Sequence, residues 1–232
     1  MMFDVIETLE SYKIDLAEEG IKDKLSNAGS AIKSNKVVAA VMKWFRDRIN
    51  GLKEKFSKLS NKLKSTKIGT KIQEKINDKA PIKYVEMSLK GVKLISGSIK
   101  AVSGRLKSGK NFADNAKDYG DKISNYITSM NELGEKVGKR TANNVYSPAR
   151  LDKFAAAISS GIQTLSSLDS TIESTLTKAV QAKRSYNESN DSHNLTAYIG
   201  YIKKSITAGI SFLSKSMVII TGGTKDPSRL LA

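Results

Sequence analysis

Nine lysines, Lys53, Lys55, Lys58, Lys62, Lys64, Lys67, Lys71, Lys75 and Lys79, are the densest set of chemically active side chains in this sequence. Their chemistry is attraction to a polyanion rather than catalysis. A lysine ammonium is a hydrated point charge on a flexible stem, whereas the arginine fork reads phosphates and base edges by paired hydrogen bonds. Only seven of the 39 bases are arginine. The pattern therefore predicts loose, salt-sensitive contact with phosphates, without sequence readout. The plainer alternative is a solvated helix face that lysine keeps in solution.

Other candidate chemistry is thin. Residues 104–111, GRLKSGKN, place Gly104, Gly109 and Lys110 as a phosphate-binding loop would. Asn111 stands where a magnesium-holding hydroxyl belongs, and the segment before it reads as helix rather than strand. It reads as a lysine-rich turn between helices. His193 is the only histidine and there is no cysteine, so disulfides and thiolate metal sites are excluded and no metal set can form around it. It falls in a polar stretch, 187–194, that reads as an exposed loop. Asp114, Asp118 and Asp121 lie off the apolar stripe of their helix. No nucleophile motif accompanies the serines, and the sequons at Asn187 and Asn194 mean nothing without secretion. The sequence thus predicts no catalytic residue, no cofactor, no metal and no small-molecule substrate.

The elements that carry these residues read as helices. Val38, Met42, Phe45, Ile49, Leu52, Phe56, Leu59 and Leu63 alternate steps of four and three, an a/d register. Asn35 is placed to cap this helix, and Ile68, Ile72 and Ile76 extend it past Gly69. Trp44 lies beside the stripe, which favours packing over stacking on a base. Residues 78–81 form a boundary, because proline suits a first helical turn. Counting a short helix within residues 1–19 as the first, a third stripe, Val85, Leu89, Val92, Ile95, Ile99, Val102 and Leu106, is softened by Gly91, Gly97 and Gly104. A fourth runs Phe112, Ala116, Tyr119, Ile123, Tyr126, Met130, Leu133, Val137. Ser147 and Pro148 make a cap and first turn for a fifth, Leu151, Phe154, Ile158, Ile162, Leu165, Leu168, Ile172, Leu176, Ala179. A sixth, Leu195, Tyr198, Ile202, Ile206, Ile210, Leu213, Met217, ends before Gly222. The fold class is all-α: an elongated bundle of about five to six long antiparallel helices with coiled-coil-like packing. The same stripes also fit self-association between chains.

Charge is divided along the chain. Residues 1–20 hold six acids against Lys13, a net of −5, while the whole chain is +16 and the remainder therefore +21. Residues 36–110 alone carry 20 bases and five acids. The division predicts an acidic amphipathic leader over residues 1–19, a basic bundle over 20–220 and a flexible tail over 221–232. Phe3, Ile6, Leu9 and Tyr12 fall at helical spacing in the leader. It has neither the basic start nor the apolar core of a secretory signal. No apolar run reaches membrane-spanning length, since Ser211, Ser214, Lys215 and Ser216 interrupt the longest.

The leader resembles the capsid-targeting propeptides of internal head proteins in large tailed bacteriophages, including inner-body and ejected proteins. In that family a head protease cuts after glutamate in a motif of the form A-x-E or L-x-E. Ala17, Glu18 and Glu19 before Gly20 fit the first form, and Leu16, Ala17 and Glu18 the second. The resemblance implies a non-enzymatic virion protein docked by its N-terminal helix inside the capsid, trimmed to begin at Gly20. It implies phage DNA, capsid or scaffold proteins and the prohead protease as partners, and passage into the host cytoplasm with the genome. The residues alone leave a second reading open. In it a cytoplasmic helical-bundle adaptor binds anionic membranes or proteins through Lys203, Lys204 and Lys215, its leader packed on its own basic helices.

Overall fold

A computed structural model describes residues 31–66, 74–108, 112–139, 144–182 and 188–221. They form six helices, α1 (Ala31–Thr66), α2 (Ala80–Ser108), α3 (Phe112–Lys139), α4 (Pro148–Ser166), α5 (Asp169–Ala182) and α6 (Glu188–Ile220). The chain is an all-α bundle.

The stripes are the core. Met42, Phe45, Ile49, Leu52, Leu59 and Leu63 of α1, Val92, Ile95, Ile99 and Val102 of α2, and Ile123 and Met130 of α3 are all buried. The expected fifth helix is two, α4 and α5, yet its stripe is continuous. Ser167 stays helical at φ −66°, ψ −8°, and the Leu168 N–H reaches back to the Leu165 carbonyl at 3.1 Å. The turn is tightened locally without losing phase, so Leu165, Leu168 and Ile172 are all fully buried. The two helices act as one kinked rod.

Contacts along the rods fix their direction. Ser103 meets Tyr198, Gly91 faces Phe212, and Ser88 meets Ser216, so α2 runs antiparallel to α6. Tyr126 packs on Phe212 and Gly134 on Lys215, so α3 runs parallel to it. Leu213 against Gly161, and Gly209 against Leu165, set α4 antiparallel. Only residues 67–79 join the end of α1 to the start of α2, too few to run back along the 36 residues of α1, so α1 is antiparallel to α2 and the five rods, α4 and α5 counting as one, run up-down-up-down-up. Helix α6 is the central rod and packs on every other helix. Only Ala197, Lys204 and Val218 of its described side chains are fully exposed, and Val218, at 55 %, is the exposed large hydrophobic residue of the described chain.

Two connectors meet at one end of the bundle. Lys75 and Val145 exchange backbone hydrogen bonds of 3.0 and 2.8 Å. The Asn144 side chain accepts from the Asn77 and Asp78 N–H groups and donates to the Asp78 carbonyl. Asp78 Oδ1 in turn accepts from the Ala80 N–H at 2.8 Å, satisfying an orphan donor at the start of α2. Ser147 caps α4 as expected, its side chain accepting from the Arg150 N–H.

Four expectations need correction. Helix α1 starts at Ala31, so Asn35 lies inside it rather than at its cap. Ile76 does not prolong α1; it sits in the connector, whose backbone is committed to the Val145 bridge. Residues 188–194, read as a loop that includes His193, are the first turns of α6. Gly104 to Ser108, read as part of a turn between helices, belong to α2, and Gly109, Lys110 and Asn111 lie outside the described residues.

Candidate polyanion interface

The lysines expected to bind a polyanion fall into three groups. Lys53, Lys55, Lys58 and Lys62 are exposed on α1. Lys55, Lys58 and Lys62, spaced three and four apart, share one flank of that helix. Lys64 belongs to the last turns of α1. Lys75 and Lys79 are exposed, but on the connector at the bundle end rather than on the helix. Lys67 and Lys71 lie outside the described residues, as do the leader residues Phe3, Ile6, Leu9 and Tyr12 and the cut-like site Ala17, Glu18, Glu19, Gly20.

A second basic surface was not singled out from the sequence. Lys83, Glu86, Lys90, Lys93, Gly97, Lys100 and Gly104 are all exposed on α2. Their steps alternate three and four, so they form one straight ridge opposite the buried stripe. The signal was present: a heptad of lysines in antiphase with the apolar heptad. Any Cβ added at Gly97 or Gly104 would meet nothing within 4 Å, so the ridge is unobstructed.

Three of the five acids of residues 36–110 are engaged elsewhere, while Glu54 and Glu86 stand exposed among the lysines. Asp47 takes Lys43 at 2.7 Å, and that bond raises the Lys43 pKa. Glu74 accepts from Arg150 and, at 3.0 Å, from Ser147, and Asp78 caps α2. Arg46 grips Asp169 through two bonds of 2.8 Å and Glu173 through one of 2.9 Å. The paired carboxylate hydrogen bonds hold its guanidinium charged and fasten α1 to α5. Among the described residues no carboxylate pairs with Lys53, Lys55, Lys58, Lys83, Lys90, Lys93 or Lys100. Seven ammonium groups are thus left to solvent and its counterions.

Residues 36–110, the most basic stretch of the sequence, span both helices. The structure separates them. Helix α1 packs on α4, α5 and α6, and α2 packs on α3, α4, α5 and α6, while α1 and α2 share no more than a grazing contact. The kinked rod and α6 lie between them.

Lysines elsewhere do other work. Lys203 stands 5.8 Å from the Trp44 ring centroid, a cation over an aromatic face; Trp44 itself packs against the core. Lys204 donates to Ser124 at 2.9 Å. Lys215 is half-buried beside Gly134 and 5.7 Å from the Tyr84 ring centroid. Burial lowers its pKa, with nearby Glu135 acting in the opposite direction. The apolar surface of α6 is occupied by the core.

The polar groups inside the bundle form a seam between α2 and α6. Ser216 and Ser88 are linked at 2.8 Å and Ser103 and Tyr198 at 2.6 Å, all of them buried. The buried Tyr201 hydroxyl faces Ser98 and Ser205 without a hydrogen bond of normal geometry to either. Burial pushes the Tyr201 phenol up to about 12. Among the described residues no three His, Cys, Asp or Glu side chains gather as metal ligands would, and no helix is long and apolar enough to cross a membrane.

Against family models, curated proteins and solved structures the comparison was negative. The chain matches none of them. Function must therefore be argued from the lysine faces and the leader.

Proposed function

We propose that this chain is a structural virion protein that binds duplex DNA without regard to sequence, carried into a phage head by its cleavable leader. The observation that carries the DNA-binding half is the set of seven exposed lysines on α1 and α2 with no carboxylate partner among the described residues. Each ammonium laid against a phosphate releases condensed counterions, which is a favourable, sequence-independent term. The leader supports the head-protein half: removing residues 1–19 takes six acids and one base away and leaves a more basic product. The reading includes no catalytic step, and its partners are DNA, a capsid or scaffold surface and the head protease.

Two measurements test it. Retention of the full chain on immobilised duplex is expected to fall steeply with salt, about a hundred-fold between 50 and 200 mM for four phosphate contacts. It is expected to be equal for unrelated sequences. Retention indifferent to salt would remove the DNA-binding half. Protein recovered from particles is expected to start at Gly20, and an intact Met1 would remove the targeting half.

The adaptor reading has less support. An interfacial helix needs an unoccupied apolar face, and that of α6 is buried against the other helices. Anionic vesicles are the proper competitor: on the proposed reading they displace DNA only at low salt.

A further inference from the structure

The two lysine faces point in different directions. Around α6 the neighbouring rods follow in the order α1, the α4 and α5 rod, α2, α3, because each packs on the next except α3 on α1. Helix α1 is buried toward the kinked rod and α6, so its exposed side turns away from both. Helix α2 is buried toward α3, α6 and the kinked rod, so the ridge of Lys83, Lys90, Lys93 and Lys100 turns outward between α3 and that rod. With axes about 8–10 Å apart, the two surfaces lie roughly 25–30 Å from each other across the bundle.

A duplex cannot serve both. Its persistence length is about 150 base pairs, and bending a short site through even a right angle costs several kcal/mol. Wrapping it around so thin a bundle would need a sharper bend than a scatter of lysine contacts can sustain. The geometry points to a bridging protein: one copy holds one duplex along the α1 lysines and a second along the α2 ridge. This rests on the DNA-binding reading above and adds to it, since coating a single duplex needs only one face. The acids between the faces fit the division. Asp118, Asp121, Glu132 and Glu135 are exposed on α3 beside Lys122 and Lys136, which leaves that side without a basic excess.

The test uses the full chain and two unrelated duplexes, one tethered to beads and one labelled and free. At low salt the protein is expected to bind the beads and to bring down the labelled duplex roughly ten-fold above protein-free beads. Two variants assign the faces: Lys53→Gln, Lys55→Gln, Lys58→Gln and Lys62→Gln together, and Lys83→Gln, Lys90→Gln, Lys93→Gln and Lys100→Gln together. All eight positions are exposed, and retained helical circular dichroism shows that each variant folds. Each is expected to keep bead binding within about two-fold, the loss of one of two independent faces, while recovery of the labelled duplex falls to background. Bead binding without recovery by the native chain would overturn bridging and leave the DNA-binding reading intact. Recovery that survives in both variants would also overturn it, by showing that copies associate with one another. Failure to bind the beads at all would overturn both readings.

Discussion

Helix α2 carries small residues on both of its faces and puts them to opposite use. Inward, Ser88, Gly91, Ser98 and Ser103 let α6 come close. An added Cβ at Gly91 would lie 2.6 Å from a Tyr126 ring carbon and 3.0 Å from the Phe212 ring. Outward, Gly97 and Gly104 have nothing near them and alternate with lysines. A small residue within a helix is thus a packing requirement on one face and a destabilising exposed position on the other. Composition cannot distinguish the two; phase relative to the apolar stripe can.

Four experiments would sharpen or break this contrast. The largest effect should come from alkali. Tyr84, Tyr146, Tyr198 and Tyr201 are buried, and burial raises the pKa of each phenol. Their unfolded forms ionise near pH 10, so the folded chain then binds more protons than the unfolded one. Stability present below pH 10 is lost progressively above it. Lys215, whose pKa is lowered, contributes the opposite slope as pH approaches its ordinary range, but it is one group against four. Melting temperature is expected to fall above pH 10, and to fall less in Tyr201→Phe. A flat profile to pH 12 would mean that the tyrosines are not enclosed.

Next is Phe212→Ala, which empties the site between Gly91 and Tyr126 and should cost about 3–5 kcal/mol in denaturant unfolding. Gly91→Ala should follow at about 1–3 kcal/mol, as ring edges resist displacement. Smallest, and opposite in sign, is Gly97→Ala, expected to stabilise by about 0.5–1 kcal/mol because alanine is the better helix former and meets no neighbour. If the two glycine variants shifted the midpoint in the same direction, the inward and outward assignment would fail.

Much of the architecture was readable in the stripes, because 3.6-residue periodicity reports burial directly. Every stripe residue whose side chain the structure describes, from Val38 to Met217, is buried or half-buried. The break after Ser166 was invisible, since Ser167 and Leu168 keep the backbone near helical values and the stripe in phase. Residues 188–194 were misread because Asn, Asp and Ser favour turns when isolated, while the long buried run behind them extends the helix through them. The interface was half legible. Charge located the lysines of α1, but separation of α1 from α2 depends on which rods pack between them, and adjacency in sequence carries no such information. The connector position of Lys75 and Lys79 depended on a backbone pairing between residues 70 apart, 75 and 145.

The odd number of rods gives the molecule a built-in ruler. Since α1 and α6 run in the same direction, with Trp44 level with Lys203, a dye at Lys36 and another at Val218 would sit roughly 35 Å apart along the axis at 1.5 Å per residue. That span depends on no bound molecule. It would lengthen or blur only when the first helix peels from the last, so one pair of fluorophores would register that opening directly.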